Sequence, residues 1–361
     1  MKAKIAGSGI FLPEFVVTNE KLAGIYPNGP APEWHQNFNW NPQWIERKLG
    51  IKERRFAFDF DSGVMRPGYY DLDMAEKAST AALHNAGIGI SEIDLIIHLT
   101  TTPEYYIPDQ GVFLAWRLGA GEVPAFALNG VGCGGFIYGM IIAQAFIVSG
   151  IAKTVLLSSA TSTSAYGACY YEPGITAERK KSLMQRDRIN ASIFGDGAGA
   201  MVLTSTESDE GLSNFYWGSS AVDNPVIMEA GGSRRPATIE TVLAGLHYFN
   251  MNTGLVKLNG PRLFEKTVRS LLVKSETAIS DIDYFVFHQV NMRLLQHISR
   301  ELQIPWEKMA IHVNKYGNLD TATLAVGFHE AKAAGKIKKG DIVLFAAIGA
   351  GWQFGSALVR V

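Results

Sequence analysis

Cysteine is scarce in this sequence: only Cys133 and Cys169 occur among its 361 residues. So few thiols exclude a disulfide framework, and they indicate a reducing, cytoplasmic environment. No pair of His or Cys residues has the spacing of metal ligands, so no metal site is predicted. No apolar run reaches the length needed to span a membrane, and the N-terminus reaches Gly9 and Pro13 too soon for a secretory signal.

An excess of charge of either sign is also absent. The chain has 33 basic and 34 acidic residues, which gives a formal net charge of −1. Such a balance argues against nucleic acid or a membrane surface as a partner. Apolar residues make up 47% of the chain, enough to bury a sizeable core. Composition therefore favours a soluble enzyme without indicating its chemistry.

Two similar α/β segments occur in the same order along the chain. Residues 90–98 read as a helix end, an acidic turn, a buried strand and a polar residue at the strand end, and residues 279–288 repeat that pattern. Residues 151–157 and 337–345 form a second pair, each followed by a strand that begins with glycine. We interpret the pairs as a duplication of one α/β half, although buried strands of unrelated origin also resemble one another.

The boundary between the halves is placed within Ser205–Gly211, which gives an N-terminal half of residues 1–207 and a C-terminal half of residues 208–361. Strands that are apolar on both faces predict sheets covered by helices on both sides. Two stretches, Tyr26–Asn41 and Ser162–Arg188, are interpreted as long loops that line a pocket or a partner surface. Apolar spacing predicts helices over residues 72–87, 110–118, 134–149, 261–277, 291–303 and 321–334.

Cys133 lies in a glycine-rich turn between a predicted strand, residues 123–128, and the most apolar predicted helix. The start of a helix favours a thiolate, because the helix dipole and free N–H groups stabilise negative charge there. The flanking glycines allow another molecule to approach the backbone closely. The alternative is a small buried core cysteine, because cysteine is among the most buried residue types.

Three further polar features fall at predicted strand or helix ends. His288 ends an apolar strand, Asn318 lies in a turn before a helix, and the turn 348–352 follows the strongest strand of the second half. Ligands of open α/β sheets bind outside the carboxyl ends of the strands, so we expect these groups to meet Cys133 there. Taken singly, His288 could be a structural histidine and Asn318 a helix cap.

A series of short motifs runs nearly from end to end of the chain, at residues 7–13, 44–45, 50–55, 133–136, 194–200, 288–291, 316–318 and 355–360. In these motifs and in their order, the chain resembles the thiolase-fold condensing enzymes, and most closely the β-ketoacyl-acyl-carrier-protein synthase III family. That resemblance implies an α/β, thiolase-like fold of two duplicated halves in a five-layer αβαβα arrangement.

The resemblance also implies a reaction. Cys133 takes an acyl group from a thioester, and the backbone N–H groups of Cys133 and Ala350 form the oxyanion hole. His288 and Asn318 stabilise the enolate that forms as a malonyl extender loses CO₂, and the enolate attacks the acyl-Cys133. Acyl-CoA or acyl-carrier-protein thioesters are the implied substrates, and no metal or other cofactor is needed.

Further residues receive roles from the same resemblance. Trp44, Lys48, Ile107 and Asn291 are predicted to bind substrate. Arg293 and Arg300, seven positions apart on one helix, are predicted to dock an acidic acyl carrier protein. The family pairs its sheets in a homodimer, and residues 103–110, which include Ile107, are predicted to reach the neighbouring subunit's acyl pocket.

Some residues depart from the family pattern. Lys48-Leu49 replaces Arg-Thr, Leu319-Asp320 replaces Thr-Ser after Asn318, and Ala350 replaces a glycine. These changes suggest a specialised relative, with an alternative activity that joins or cyclises unusual β-ketoacyl chains without malonyl decarboxylation. A non-catalytic partner subunit and a Cys-His-Asn hydrolase are weaker alternatives. Acyl chain length, the choice between CoA and carrier protein, and the pathway stay open.

Overall fold

A computed structural model describes residues 1–25, 42–59, 62–167, 190–220 and 226–361. Cys169, the predicted loop Tyr26–Asn41, and the part of the predicted loop Ser162–Arg188 that follows residue 167 lie outside the described residues. The predictions made for them are therefore not discussed further.

Strands and helices alternate along the described parts of both halves. The elements of the first half are β1 (Lys2–Phe11), β2 (Val16–Thr18), α1 (Asn19–Ile25), α2 (Pro42–Leu49), β3 (Glu53–Arg55), β4 (Phe58–Asp59), β5 (Val64–Met65), α3 (Asp71–Ala86), β6 (Leu95–Thr100), α4 (Gln110–Arg117), β7 (Ala125–Asn129), α5 (Gly135–Val148), β8 (Thr154–Thr161), α6 (Thr163–Gly167), α7 (Asn190–Ile193) and β9 (Gly197–Thr206). Those of the second half are β10 (Gly211–Ser219), β11 (Val226–Ile227), α8 (Ile239–Leu243), β12 (Asn250–Met251), α9 (Thr253–Lys274), β13 (Tyr284–Phe287), α10 (Met292–Glu301), α11 (Val313–Tyr316), α12 (Thr323–Ala333), β14 (Ile342–Ile348) and β15 (Gln353–Arg360).

Each half forms one large sheet, and the two sheets have the same design. The first has the strand order β1-β9-β8-β6-β7 and the second the order β10-β15-β14-β13. In both, one parallel pair (β6–β8 or β13–β14) continues into antiparallel neighbours. Beyond β13 a single parallel bridge from Phe285 to Met309 stands where β7 stands in the first sheet. The predicted duplication is confirmed at the level of the fold. The boundary at residues 207/208 stays a prediction; the first sheet ends at Thr206 and the second begins at Gly211.

The repeated acidic turn has the same role in both halves. Asp94 Oδ2 accepts hydrogen bonds from the backbone N–H of Lys153 at 2.7 Å and of Thr154 at 2.9 Å. Its counterpart, Asp283 Oδ2, accepts one from the N–H of Ile342 at 2.8 Å. In each half a carboxylate therefore ties the start of one parallel strand to the start of its neighbour.

The layers follow from which faces are apolar. Helices α3 and α4 cover the outer face of the first sheet, α9 and α10 lie outside the second, and α5 and α12 pack between the sheets. Helix α5 is apolar on all sides, as a helix between two sheets must be. Its Phe136, Met140, Ala143 and Ile147 are fully buried. The predicted five-layer αβαβα arrangement is thus confirmed.

One predicted helix begins at the wrong residue. The helix predicted over residues 261–277 is α9, which begins at Thr253 and contains Pro261 in its interior. The side chain of Asn252 caps it by accepting a hydrogen bond from Leu255 N–H at 3.1 Å. Proline favours the first turn of a helix, so the sequence predicts that this helix begins at Pro261. Here the buried face formed by Phe264, Val268 and Leu271 offsets the one hydrogen bond that Pro261 cannot donate.

Candidate active site

A cavity of about 840 Å³ opens where strands of the two sheets end. Its lining includes Cys133 from the turn after β7, His288 from the end of β13, and Gly349 and Ala350 from the turn after β14. Asn318, from the turn before α12, lines the same cavity. The structure therefore brings together the groups that the sequence placed at strand and helix ends.

The turn that carries Cys133 packs backbone against backbone on the turn that carries Ala350. Residues Gly132–Gly134 form a single 3₁₀ turn before α5, and Gly132 has a φ of +60°. A Cβ atom on Gly132 would lie 3.0 Å from the Ala350 nitrogen, and one on Gly349 would lie 2.8 Å from the Cys133 nitrogen. Glycine is required at both contacts, and it holds the two predicted oxyanion-hole N–H groups close together.

Asn318 is fixed by its own backbone. Its N–H donates to Ile193 C=O at 2.8 Å, and its C=O accepts from Gly195 N–H at 3.0 Å. This close approach needs glycine, since a Cβ on Gly195 would lie 2.0 Å from the Tyr316 carbonyl oxygen. The two polar atoms of the Asn318 side chain have different partners. Oδ1 accepts from Asp320 N–H at 2.8 Å, and Nδ2 donates to Cys133 Sγ at 3.9 Å. Asn318 is thus both a turn cap and a donor toward the thiol.

His288 is fully buried, and neither ring nitrogen has a hydrogen-bond partner within the described part of the chain. Its backbone N–H donates to Ala346 C=O at 2.8 Å, which extends the pairing of β13 with β14. The next residue, Gln289, donates to Phe287 C=O and Ala310 C=O and so fixes the strand end. Burial lowers the pKa of His288 to about 3, with a smaller contribution from nearby His312. His288 is therefore a neutral imidazole at physiological pH.

The thiol of Cys133 differs from expectation. Burial raises its pKa well above the usual value, and the neighbouring Asp320 carboxyl raises it further by charge and by hydrogen bonding. The Asn318 amide and the backbone at Cys133 act in the opposite direction but more weakly. Burial and Asp320 therefore oppose the predicted thiolate, and the residue opens onto the cavity.

Asp320 is the site residue that sequence reasoning missed. It lines the cavity, is only 4% exposed and accepts a hydrogen bond from the Thr101 hydroxyl. The sequence showed Asp320 as a departure from the family pattern but gave no sign that its side chain faces Cys133. That contact joins residues almost two hundred positions apart, and no local pattern reports it.

The predicted substrate residues separate into two groups. Lys48 and Asn291 line the cavity, and Asn291 also caps α10 by accepting from Leu294 N–H at 2.9 Å. Trp44, on α2, packs against the hydrophobic core of the second half instead. Ile107 is 88% exposed on the loop before α4 and is not among the residues that line this cavity. Its predicted role concerns a partner subunit and stays a prediction.

The two arginines of the predicted docking pair lie in different surroundings. Arg293 lines the cavity, and its guanidinium donates to Arg47 C=O. Arg300 lies exposed in the last turn of α10. Together with Lys48 and Lys257, Arg293 makes this end of the cavity basic. The strands β11 and β12 add Val226 and Met251 to the lining, residues that sequence reasoning did not single out.

The described residues contain no group of three or more His, Cys, Asp or Glu side chains placed to hold a metal ion. Their helices are all too short or too polar to cross a membrane.

Comparison with known proteins agrees with this geometry. Residues 272–361 match the family described as 3-oxoacyl-(acyl-carrier-protein) synthase III C terminal. A β-ketoacyl-(acyl-carrier-protein) synthase III of Rickettsia felis is 34% identical over 368 aligned positions, which cover 100% of both chains.

Solved structures of such enzymes superpose over nearly the whole chain. A 3-oxoacyl-(acyl-carrier-protein) synthase III from Aquifex aeolicus is 29% identical with a TM-score of 0.79, covering 99% of this chain and 100% of that one. An enzyme of the same name from Pseudomonas aeruginosa is 26% identical with a TM-score of 0.80, covering 100% and 98%. These are thiolase-like folds, and the similarity extends through both halves.

Proposed function

The chain belongs to the β-ketoacyl-acyl-carrier-protein synthase III family, and we propose that its Cys133, His288 and Asn318 are the catalytic residues of that family's condensation. The protein is an acyltransferase-type condensing enzyme. One observation supports the assignment of residues most strongly. A thiol, an amide donor and an imidazole without a hydrogen-bond partner in the described chain line one cavity at the meeting point of the two sheets.

The first step loads the acyl group. Cys133 Sγ attacks the carbonyl carbon of an acyl thioester, and the departing thiol leaves Cys133 as a new thioester. The N–H groups of Cys133 and Ala350 stabilise the oxyanion of the tetrahedral intermediate. Loss of one such donor typically costs roughly 3–4 kcal/mol of transition-state stabilisation. The interlocked glycine turns hold these donors in place before substrate arrives, so no reorganisation is needed.

The second step forms the carbon–carbon bond. A malonyl thioester binds with its thioester carbonyl between His288 and Asn318 Nδ2, which donate hydrogen bonds to the oxygen. As the carboxylate leaves as CO₂, negative charge grows on that oxygen, and donors fixed in a buried site stabilise the enolate most. A neutral His288 serves this role because one ring nitrogen carries a proton. The enolate carbon then attacks the carbonyl of acyl-Cys133.

The substrates are thioesters of CoA or of an acyl carrier protein, held by a pantetheine arm. Lys48, Lys257 and Arg293 at the cavity suit a phosphate-bearing or acidic partner. The shared name of the relatives favours decarboxylative condensation over the alternative that joins unusual acyl chains without loss of CO₂.

A homodimer is the proposed assembly. Tyr105, Tyr106 and Ile107 are 55%, 68% and 88% exposed in one chain, and Trp116 on the following helix is 76% exposed. Large apolar side chains exposed so close together in sequence are typical of a subunit interface. Sedimentation at micromolar concentration tests the dimer, and a monomer there contradicts it. Within a dimer, Ile107→Trp is expected to shorten the longest acyl chain that the enzyme accepts.

The decisive experiment follows the acyl group by mass. Intact-protein mass spectrometry after incubation with a panel of acyl-CoA thioesters should show one acyl adduct on the parent chain and none on Cys133→Ala. The matched control is Cys169→Ala, which should load as the parent does. An adduct that persists in Cys133→Ala would overturn the assignment. The panel also reports which chain length is preferred.

A further inference from the structure

The Asp320 carboxyl lies where the family pattern places a neutral residue, and it lines the same cavity as the proposed nucleophile. Only 4% of its surface is exposed, and the turn 320–322 packs against the turn that carries Cys133. Building on the proposed function, we propose that Asp320 is the general base of acyl loading: it accepts the Cys133 proton and returns it to the departing thiol.

Asp320 is held in place from two sides. The Thr101 hydroxyl donates to its Oδ2, and its own N–H donates to Asn318 Oδ1 at 2.8 Å. Its backbone has a φ of +48°, in the left-handed region where Asp and Asn are the least unfavourable residues after glycine. A buried carboxyl on a left-handed backbone is costly to maintain, and such features concentrate at functional sites.

Thr101 itself is positioned by a separate cluster. It follows the last residue of β6, and in extended chain successive side chains point to opposite faces. Its neighbours Thr100 and Thr102 donate to Asp71 Oδ2 at 2.8 and 3.2 Å, on the side of α3. With both neighbours fixed there, Thr101 faces the opposite side and reaches Asp320.

The chemistry of the site requires a base. Burial raises the pKa of the Cys133 thiol well above its usual value, so a proton acceptor would assist its attack on a thioester. His288 lines the cavity, but its ring has no hydrogen bond to Cys133 or to any other described residue. Asn318 contacts Sγ through an amide, which does not accept a proton at neutral pH. Among the described residues that line the cavity, Asp320 is the only carboxylate.

The proposed step balances as follows. Sγ forms a bond to the acyl carbonyl carbon while its proton moves to an Oδ atom of Asp320, and the carbonyl oxygen becomes an oxyanion in the hole. The oxyanion then collapses, the bond from the carbonyl carbon to the departing sulfur breaks, and that sulfur takes the proton from Asp320. Asp320 ends as a carboxylate, Cys133 as a thioester, and the leaving group as a neutral thiol.

The groups that face Asp320 set the pH at which it works. Burial and the Asp71 carboxylate at the start of α3 raise the pKa of Asp320, whereas its hydrogen bonds from Thr101 and Cys133 lower it. His288, in the same cavity, stays neutral. The rate of loading should therefore rise with pH until Asp320 is ionised and then level off, well below the range in which Cys133 ionises by itself.

The test is single-turnover acylation of Cys133 from acyl-CoA, measured by quenched mass spectrometry across pH. Asp320→Asn should load roughly 10²–10⁴-fold more slowly near pH 7. Its rate should keep rising at high pH, because loading then depends on the thiolate. Thr101→Val should shift the acidic limb of the parent profile to higher pH, since it removes a donor that favours the carboxylate. In Asp320→Ala, added formate should restore part of the rate.

The two proposals can fail separately. Decarboxylation of a malonyl thioester, assigned to His288 and Asn318, should fall much less in Asp320→Asn than acyl loading does. If Asp320→Asn loads at the parent rate with an unchanged pH profile, the general-base role is wrong while the Cys133 assignment stands. If Cys133→Ala still loads, the proposed function fails instead. Should Asp320→Asn not fold, as judged by circular dichroism, the Thr101→Val profile decides: an unshifted acidic limb contradicts the proposal.

Discussion

Two buried histidines belong to equivalent strands of the two sheets and differ in their surroundings. His98 lies within β6 of the first sheet and His288 directly follows β13 of the second, and both are fully buried. His98 Nε2 lies 3.0 Å from Asp71 Oδ1, at the start of an outer-layer helix. Neither ring nitrogen of His288 has a partner among the described residues, and the ring lines the cavity. The paired histidine ties β6 to α3, and the unpaired one is available to a substrate.

This difference shows what a fold position determines. A duplicated fold supplies two sets of strand ends, but a buried polar group normally finds a partner within the protein. Where it does not, the missing partner is a reason to infer a ligand. In the first half the partner comes from α3, which covers the outer face of the sheet. In the second half His288 stands one position further from Asp283 than His98 stands from Asp94, so its side chain points to the opposite face and lines the cavity where the two sheets meet.

The largest expected effect comes from replacing each of the two histidines, His288 and His98, by alanine. His288→Ala should lower malonyl decarboxylation by roughly 10³-fold, because a preorganised donor to the enolate is lost. His98→Ala should instead leave Asp71 short of a partner and destabilise the protein by about 1–3 kcal/mol. Decarboxylation assays and thermal melts of both variants measure the two effects. A large stability loss in His288→Ala with parent activity per folded molecule would reverse the roles of the two residues.

Asn318, the second proposed donor to the enolate, provides a further test of the role assigned to His288. Asn318→Ala should keep most acyl loading but lower malonyl decarboxylation by about 10²-fold. Because Asn318 Oδ1 also accepts from Asp320 N–H, part of any effect could arise from the turn. Asn318→Ser separates the two roles: serine can accept the same turn hydrogen bond but is too short to present a donor where Nδ2 lies. Recovery of stability without recovery of decarboxylation supports the donor role, and recovery of both would support the plain cap.

Much of this site was accessible from the sequence because it depends on local patterns. The apolar periodicity of α5 and the strand before it placed Cys133 at a helix start. The repeat of the acidic turn at Asp94 and Asp283 revealed the duplication, since each carboxylate makes the same local contacts. A duplication in turn predicts that equivalent strand ends meet, which brings His288 to the thiol.

The features that escaped prediction are set by contacts between distant parts of the chain. Asp320 comes close to Cys133 only because the turn 320–322, before α12, packs against the turn 132–134, before α5. The start of α9 at Thr253 escaped because packing of its buried face outweighs the local penalty at Pro261. The thiolate was predicted from the helix start alone, whereas burial and Asp320 dominate the Cys133 pKa.

Acid sensitivity provides a smaller test of the unpartnered histidines. Burial lowers the pKa of His288 and of its neighbour His312 to about 3, and the His312 ring nitrogens likewise lack a partner in the described residues. Both pKa values lie below the unfolded value near 6.5, so the unfolded chain binds more protons between these limits. Stability should therefore be full above about pH 6.5 and fall as pH drops toward 3.

Replacing one of these histidines should reduce the loss of folding stability at low pH. His312→Gln should reduce the pH dependence of the unfolding free energy in this window by up to about 1.4 kcal/mol per pH unit. Denaturant unfolding at a series of pH values measures the slope. The matched control is His84→Gln, an exposed position on α3, which should keep the parent slope. An unchanged slope in His312→Gln would show that this ring is solvated and charges freely.

The smallest expected effect concerns the surfaces that follow the two strands. Helix α4, after β6, exposes Val112 and Trp116, whereas α10, after β13, exposes Arg293 and Arg300. The apolar helix suits a subunit contact, and the basic one suits an acidic carrier protein. Exposed charges of this kind contribute about 0.2–1 kcal/mol each, so replacing both Arg293 and Arg300 by Glu should raise the KM for carrier-bound malonate only several-fold.

The pattern of that loss distinguishes docking from folding. Charges at the rim of an interface act mainly on association, so the KM of the double variant should also become less sensitive to salt. Small thioester analogues, which lack the carrier protein, should react near the parent rate. Replacing Lys336 and Lys338 by Glu changes the net charge equally at the opposite end of β14 and should leave the carrier KM unchanged.

If that control raises the KM as much as the α10 variant does, overall charge explains the effect and α10 is not the docking surface. If small analogues slow down together with the carrier substrate, α10 instead supports the cavity that Arg293 lines.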